Sequence, residues 1–91
     1  MVQSFDWTAL QSFFAVVRTG RLTAAARQLG IDHSTLSRRI GALEKSLQAR
    51  LFERHVTGYT LTPEGARLLT PAQAMESIAL AALTDIAGAS Q

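Results

Sequence analysis

The chain has 91 residues, 47% of them hydrophobic and 18% charged, with a net charge of +2. That describes one small globular domain, too apolar for disorder and near the lower limit for a self-sufficient core. With no cysteine, disulfides and thiolate metal sites are excluded, in keeping with a reducing cytoplasm.

The charge is unevenly spread. Between Arg18 and Arg54 lie eight of the nine basic residues and three of the seven acidic ones, so this half is strongly positive and the remainder negative. A basic face on a neutral-to-acidic body is the footprint of a nucleic-acid binder, though charge alone also fits a solvated surface.

Asp6 is a good N-cap for a first helix, with Phe5 ahead of it placed to staple onto Leu10. Leu10, Phe13, Phe14 and Val17 then repeat at helical spacing, and Gly20 stops the run. Thr23 is expected to cap a second helix, Ala24 to Leu29, with Ala25, Ala26 and Leu29 facing inward. Gly30 ends it, since a residue with positive φ costs least without a Cβ. Asp32 caps a third helix, in which Leu36, Ile40, Leu43 and Leu47 form an apolar stripe. Ser34, Arg38, Gly41 and Lys45 lie opposite.

Residues 22–41, LTAAARQLGIDHSTLSRRIG, carry the spacing of a helix-turn-helix. Ala26 is fifth, small where the next helix crosses; Gly30 is ninth, at the turn; Leu36 is fifteenth, anchoring the second helix on the core. The outward face is then His33, Ser34, Ser37, Arg38 and Gly41, short polar or cationic groups suited to base edges and phosphates.

Past Leu47 the pattern alternates. Arg50–Arg54 and Tyr59–Thr62 read as two short strands with a turn around Thr57-Gly58. Such a hairpin is not stable alone, so Leu51, Phe52 and Leu61 must pack on the helices, as in a wing. Thr62-Pro63-Glu64 opens a fourth helix: a cap, a proline where no N–H is needed, and an acid at the positive end. From there to about Ala87 one broad face holds Leu68, Leu69, Ala72, Met75, Ile78 or Ala79, Ala82, Leu83 and Ile86. Pro71 leaves room for a kink or two shorter helices, and Gly88 to Gln91 reads as a frayed tail. The stretch Ile78 to Ala87 is too short to span a bilayer, and no export signal opens the chain. The fold class is therefore mainly α: a winged helix-turn-helix of three helices and a two-stranded wing, then a long helix.

This order of parts closely resembles the N-terminal domain of LysR-type transcriptional regulators. The match runs from Leu10 to about Leu69 through Thr23-Ala24-Ala25-Ala26, Leu29, Ser37-Arg38, Ile40, Leu43-Glu44, Leu51-Phe52-Glu53-Arg54 and Leu61-Thr62-Pro63-Glu64-Gly65. The resemblance implies a DNA-binding domain over 1–62 and a linker helix over 63–91 that pairs two chains antiparallel. A homodimer would present two recognition helices to a roughly palindromic duplex. It places His33, Ser34, Ser37 and Arg38 at bases, and Thr23, Thr35, Arg39, Arg54 and Thr57 at the backbone or in the wing. Leu68, Met75, Ile78, Ala82, Leu83 and Ile86 would form the dimer seam. Three residues depart from the family pattern. His33 replaces the usual glutamine, so base preference does not carry over; Asp32 stands where serine is common; Gln48 replaces a glycine and makes that turn less comfortable. The family also continues into a larger effector-binding domain, so this chain is expected to be a fragment or truncated product without ligand sensing.

Other chemistries fit less well. Asp32, His33, Ser34 and Ser37 sit on one helical turn rather than across a pocket, and there is no glycine-rich phosphate loop, so an enzyme is not expected. His33 and His55 lack ligand spacing for a metal, and no cofactor is implied. A winged helix serving RNA or protein would show aromatic or apolar groups on its outward face, which has none.

Overall fold

Three helix caps set by short side chains define most of the architecture. The computed structural model describes residues 6–89, giving α1 (Trp7–Thr19), α2 (Leu22–Leu29), α3 (His33–Leu47), β1 (Phe52–His55), β2 (Gly58–Leu61) and α4 (Pro63–Ala89). The Asp6 carboxylate accepts from the Thr8 N–H at 3.0 Å, and Asp32 accepts from the Ser34 N–H at 3.1 Å. Thr62 Oγ1 accepts from the Gly65 N–H at 3.0 Å and donates to the Arg50 carbonyl. Each cap serves a backbone donor that the helix itself leaves unpaired. The proposed Phe5 staple lies outside the described residues.

The core is built where α1 crosses α2 and α3. Phe13, Val16, Ala25, Leu36, Ile40, Leu51 and Phe52 are buried, together with Ala72 from α4. Ala26 is buried at the crossing, as its position in the motif requires. Phe13 and Phe52 lie 5.5 Å apart between ring centroids, and Tyr59 meets Phe52 edge-on at 6.0 Å. The wing is thereby glued to the helices by aromatic packing. Its strands pair antiparallel, Phe52 with Leu61 and His55 with Gly58. Among the described residues no helix is long and apolar enough to cross a membrane.

Four local expectations are corrected. Helix α2 begins at Leu22, not Ala24, and Thr23 does not cap it. Thr19 organises this turn instead, its single hydroxyl proton within reach of the Ala15 carbonyl at 2.9 Å or the Arg21 carbonyl at 3.0 Å, and its oxygen accepting from the Arg21 N–H. The Ala25 N–H then closes on the Arg21 carbonyl at 2.9 Å, which brings Leu22 into the helix and onto the core. The hairpin turn is Val56–Thr57 and Gly58 already belongs to β2. The strands are shifted accordingly, because Leu51 and Phe52 donate their N–H groups to Glu44 and Thr62 is committed to capping α4. Helix α4 runs unbroken through Pro71; the missing donor falls opposite Arg67, on an exposed stretch where water can serve the carbonyl. It also continues through Gly88 to Ala89 rather than fraying from Gly88. At 27 residues it measures about 40 Å, most of the molecule's 49 Å long dimension.

The turns after α2 and α3 use one device with different residues. Gly30 (φ 69) directs its N–H to Arg27, and Ile31 directs its own to Ala26. Gln48 (φ 54) and Ala49 do the same to Lys45 and Glu44. Gln48 is the only non-glycine with positive φ among the described residues, a conformation that costs an L side chain about 1–2 kcal/mol.

Candidate nucleic-acid interface

Helix α3 is held from behind and open in front. Leu36 and Ile40 are fully buried, and Leu43 and Leu47 pack against the same core. On the opposite side His33, Ser34, Arg38 and Lys45 are exposed, with Ser37 and Gly41 half-buried between them. The 3.6-residue period stacks Ser34, Arg38, Gly41 and Lys45 along one face. The outward row expected opposite the apolar stripe therefore comes together on a single surface, with Gly41 between the two cations.

The head of α3 is ordered by Asp32. Its carboxylate accepts both the N–H and the hydroxyl of Ser34. The hydroxyl bond is the main reason its pKa lies below the ordinary value of 3.8, with the N–H bond next and slight desolvation opposing both. With its proton committed to Asp32, the hydroxyl of the exposed Ser34 is left as an acceptor. A weaker 3.4 Å bond from the tip of the Arg38 guanidinium to Thr35 Oγ1 holds the end of the arginine near the helix.

The remaining expected contacts separate by face. Arg39, half-buried, lies apart from Arg38 and helps line a groove of about 360 Å³ between α1, α3 and α4, with Leu10, Leu43, Leu47, Leu68 and Met75. Thr23 is exposed in the first turn of α2, and Thr57 is exposed at the wing tip beside a fully exposed Val56. Arg54 is not a free wing cation: its guanidinium lies 3.5 Å from Glu44 Oε1 and 5.5 Å over the Tyr59 ring. His55 is occupied along the wing by Thr60 at 3.0 Å and Glu53 at 3.7 Å. Among the described residues no cluster of His, Asp or Glu is placed to hold a metal.

Of the expected seam residues, Leu68 packs on its own core, whereas Met75, Ile78, Ala82, Leu83 and Ile86 are exposed. Ile78, Leu83 and Ile86 are 71%, 64% and 69% exposed, and Leu80 adds a further apolar group at 54%. Sequence reasoning missed Glu44, which is buried at the join of α3 and the wing. The signal was present: an acid four residues after the fully buried Ile40, at the edge of the apolar stripe, demands partners.

Comparison with known proteins places this arrangement. Residues 7–66 match the family model described as bacterial regulatory helix-turn-helix protein, lysR family. A probable hydrogen peroxide-inducible genes activator of Mycobacterium avium is 42% identical over 79 residues, 87% of this chain and 25% of that protein. A putative transcriptional regulator of Pseudomonas aeruginosa is 48% identical over 60 residues, 66% of this chain and 20% of that protein. The chain thus spans a quarter or less of the length of these two relatives. Among solved structures, the CbnR DBD–DNA complex superposes with a TM-score of 0.84 at 29% identity, covering 96% of this chain and 100% of that one. The BenM DBD bound to catB site 1 DNA gives 0.88 at 30% identity, covering 96% and 98%. With the helix-turn-helix, the wing and the long helix in the same order, the chain belongs to the lysR family of bacterial regulatory helix-turn-helix proteins.

Proposed function

We propose that this chain is a cytoplasmic, sequence-specific DNA-binding domain that holds a roughly palindromic duplex as a homodimer. One observation carries the reading: α3 buries Leu36 and Ile40, packs Leu43 and Leu47 against the same core, and turns Ser34, Arg38 and Lys45 outward in a row. A helix so presented fits a major groove, with hydroxyls and guanidinium at base edges and the flanking cations on phosphate. His33, Ser34, Ser37 and Arg38 are the base-reading set. Thr23, Thr35, Arg39, Arg54 and Thr57 are the backbone and wing set. The two DNA complexes of similar domains support the DNA-binding reading.

Pairing rests on α4. Residues 1–62 form the DNA-binding part and 63–91 the linker, with Leu68 and Ala72 seating the helix on its own domain. Beyond them the exposed apolar residues from Met75 to Ile86 offer a seam to a second copy, and the groove lined by Leu43, Leu47 and Met75 continues it. Apolar surface of this extent on so small a body marks an interface. No catalytic step and no ligand sensing are assigned to these residues.

The test is selection from a random duplex pool, followed by titration of the winners against salt. An enriched inverted repeat whose affinity falls steeply with salt supports a sequence-specific dimer. Binding without enrichment refutes the sequence specificity. No binding at low salt refutes DNA binding altogether and favours a protein-interaction role.

A further inference from the structure

We propose that Glu44 is a positioning residue for DNA binding, tying the recognition helix to the wing and orienting Arg54 as the wing's phosphate clamp; this rests on the DNA-binding reading above. The side chain is only 8% exposed, yet both oxygens are engaged. Oε2 accepts from the Leu51 N–H at 2.8 Å and the Phe52 N–H at 3.3 Å, and lies 3.6 Å from Arg50 Nε. Oε1 lies 3.5 Å from the Arg54 guanidinium. All four partners belong to residues 50–54, the entry to the wing.

A buried carboxylate carries a desolvation cost of several kcal/mol, offset only by hydrogen bonds and opposite charge. If Glu44 served the two backbone donors alone, a neutral acceptor would do the same without that cost. The negative charge has a separate consequence, which is to hold two arginines. Arg54 is the more constrained of them: Glu44 meets it from α3, and the Tyr59 ring supports its face from β2. Tyr59 is itself anchored, its N–H donating to the Gly20 carbonyl at 2.8 Å. The guanidinium therefore sits at a set height between helix and wing, with 40% of its side chain still open to a further partner. Arginine presents its N–H groups as a rigid fork, so fixing the plane fixes where a phosphate can dock. Because phosphate contacts set the register of a protein on the duplex, Glu44 acts on sequence readout without touching DNA.

Glu44→Gln separates the two roles, since its amide oxygen still accepts from Leu51 and Phe52 while the negative charge facing the two arginines is lost. In the 91-residue chain the expected result is a near-parental melting curve with the ratio of selected-duplex to random-duplex affinity reduced about tenfold. Affinity for random duplex should hold or rise, because a negative charge is removed near phosphates. Arg54→Ala should weaken both duplexes, and on the selected duplex it should cost less in the Glu44→Gln background than in the parent. An unchanged affinity ratio, or fully additive losses, overturns the proposal. Should Glu44→Gln fail to fold, Arg54→Lys keeps the charge without the fork and leaves the buried carboxylate in place. It should lower the ratio in the same way, and a retained ratio overturns the proposal. A parent chain that does not discriminate the two duplexes refutes the underlying reading before any variant is compared.

Discussion

Gly58 is a position at which one added methyl group should damage the wing. It has a φ of 148°, and a Cβ added there would stand 2.4 Å from the Gly20 carbonyl oxygen. That oxygen cannot swing away, because it is backbone and already accepts from the Tyr59 N–H. Gly58→Ala therefore combines backbone strain of about 1–3 kcal/mol with overpacking of about 1–3 kcal/mol. Gly30→Ala is the matched control: it too has positive φ, 69°, but nothing lies within 4 Å of its added Cβ. The control should lose only the left-handed penalty of about 1–2 kcal/mol. Urea melts followed by circular dichroism, at one protein concentration, should rank Gly58→Ala as less stable by about 1–3 kcal/mol. For a domain of this size that difference is a Tm gap of roughly 5–20 °C. Equal losses at the two sites would refute the close approach of the wing to the α1–α2 turn.

Three other outcomes are expected. Arg38→Ala should cost about 1–3 kcal/mol on a selected duplex and relax preference at one base position; unchanged affinity and preference in a fluorescence titration would remove Arg38 from the readout. Replacing Ile78 and Leu83 by aspartate should give monomers in sedimentation without unfolding the domain, since both are exposed in the single chain. Persistent dimers would place the seam elsewhere. The carboxyl of Asp32 should titrate by NMR below 3.8. With its pKa depressed on folding, its stabilising contribution is present above the unfolded value and fades as pH falls through the folded one. The stability deficit of Asp32→Ala should therefore narrow in acid, and a midpoint at or above 3.8 would contradict the cap bond.

Short-range chemistry made much of this fold readable in the chain itself. Asp6, Asp32 and Thr62 each reach a backbone donor two or three residues ahead, so their caps follow from local order alone. The same is true of the stripe Leu36-Ile40-Leu43-Leu47 and the row Ser34-Arg38-Gly41-Lys45, which the helical period sorts onto opposite faces. The unfavourable turn at Gln48 was legible through the family resemblance, which has a glycine where the helix end takes a left-handed residue.

What the chain could not determine alone depends on segments that meet only after folding. Thr19, rather than Thr23, organises the start of α2 because its hydroxyl lies between the Ala15 and Arg21 carbonyls and accepts from the Arg21 N–H. The hairpin moved by a residue because Leu51 and Phe52 are held by Glu44 and Thr62 is committed to α4, and Gly58 then passes close to Gly20, 38 positions earlier. Helix period separates Arg38 from Arg39, but only the neighbouring α1 and α4 make the second one a groove wall. Along α4 the composition hardly changes between Ala72 and Ile86. The tertiary structure alone decides that Ala72 is buried while Ile78 is exposed, because the helix outruns the body it packs on. Hydrogen bonds within a few residues are written in local sequence; the partners of Glu44, the clearance at Gly58 and the point where α4 leaves the core are set by where distant backbones come to rest.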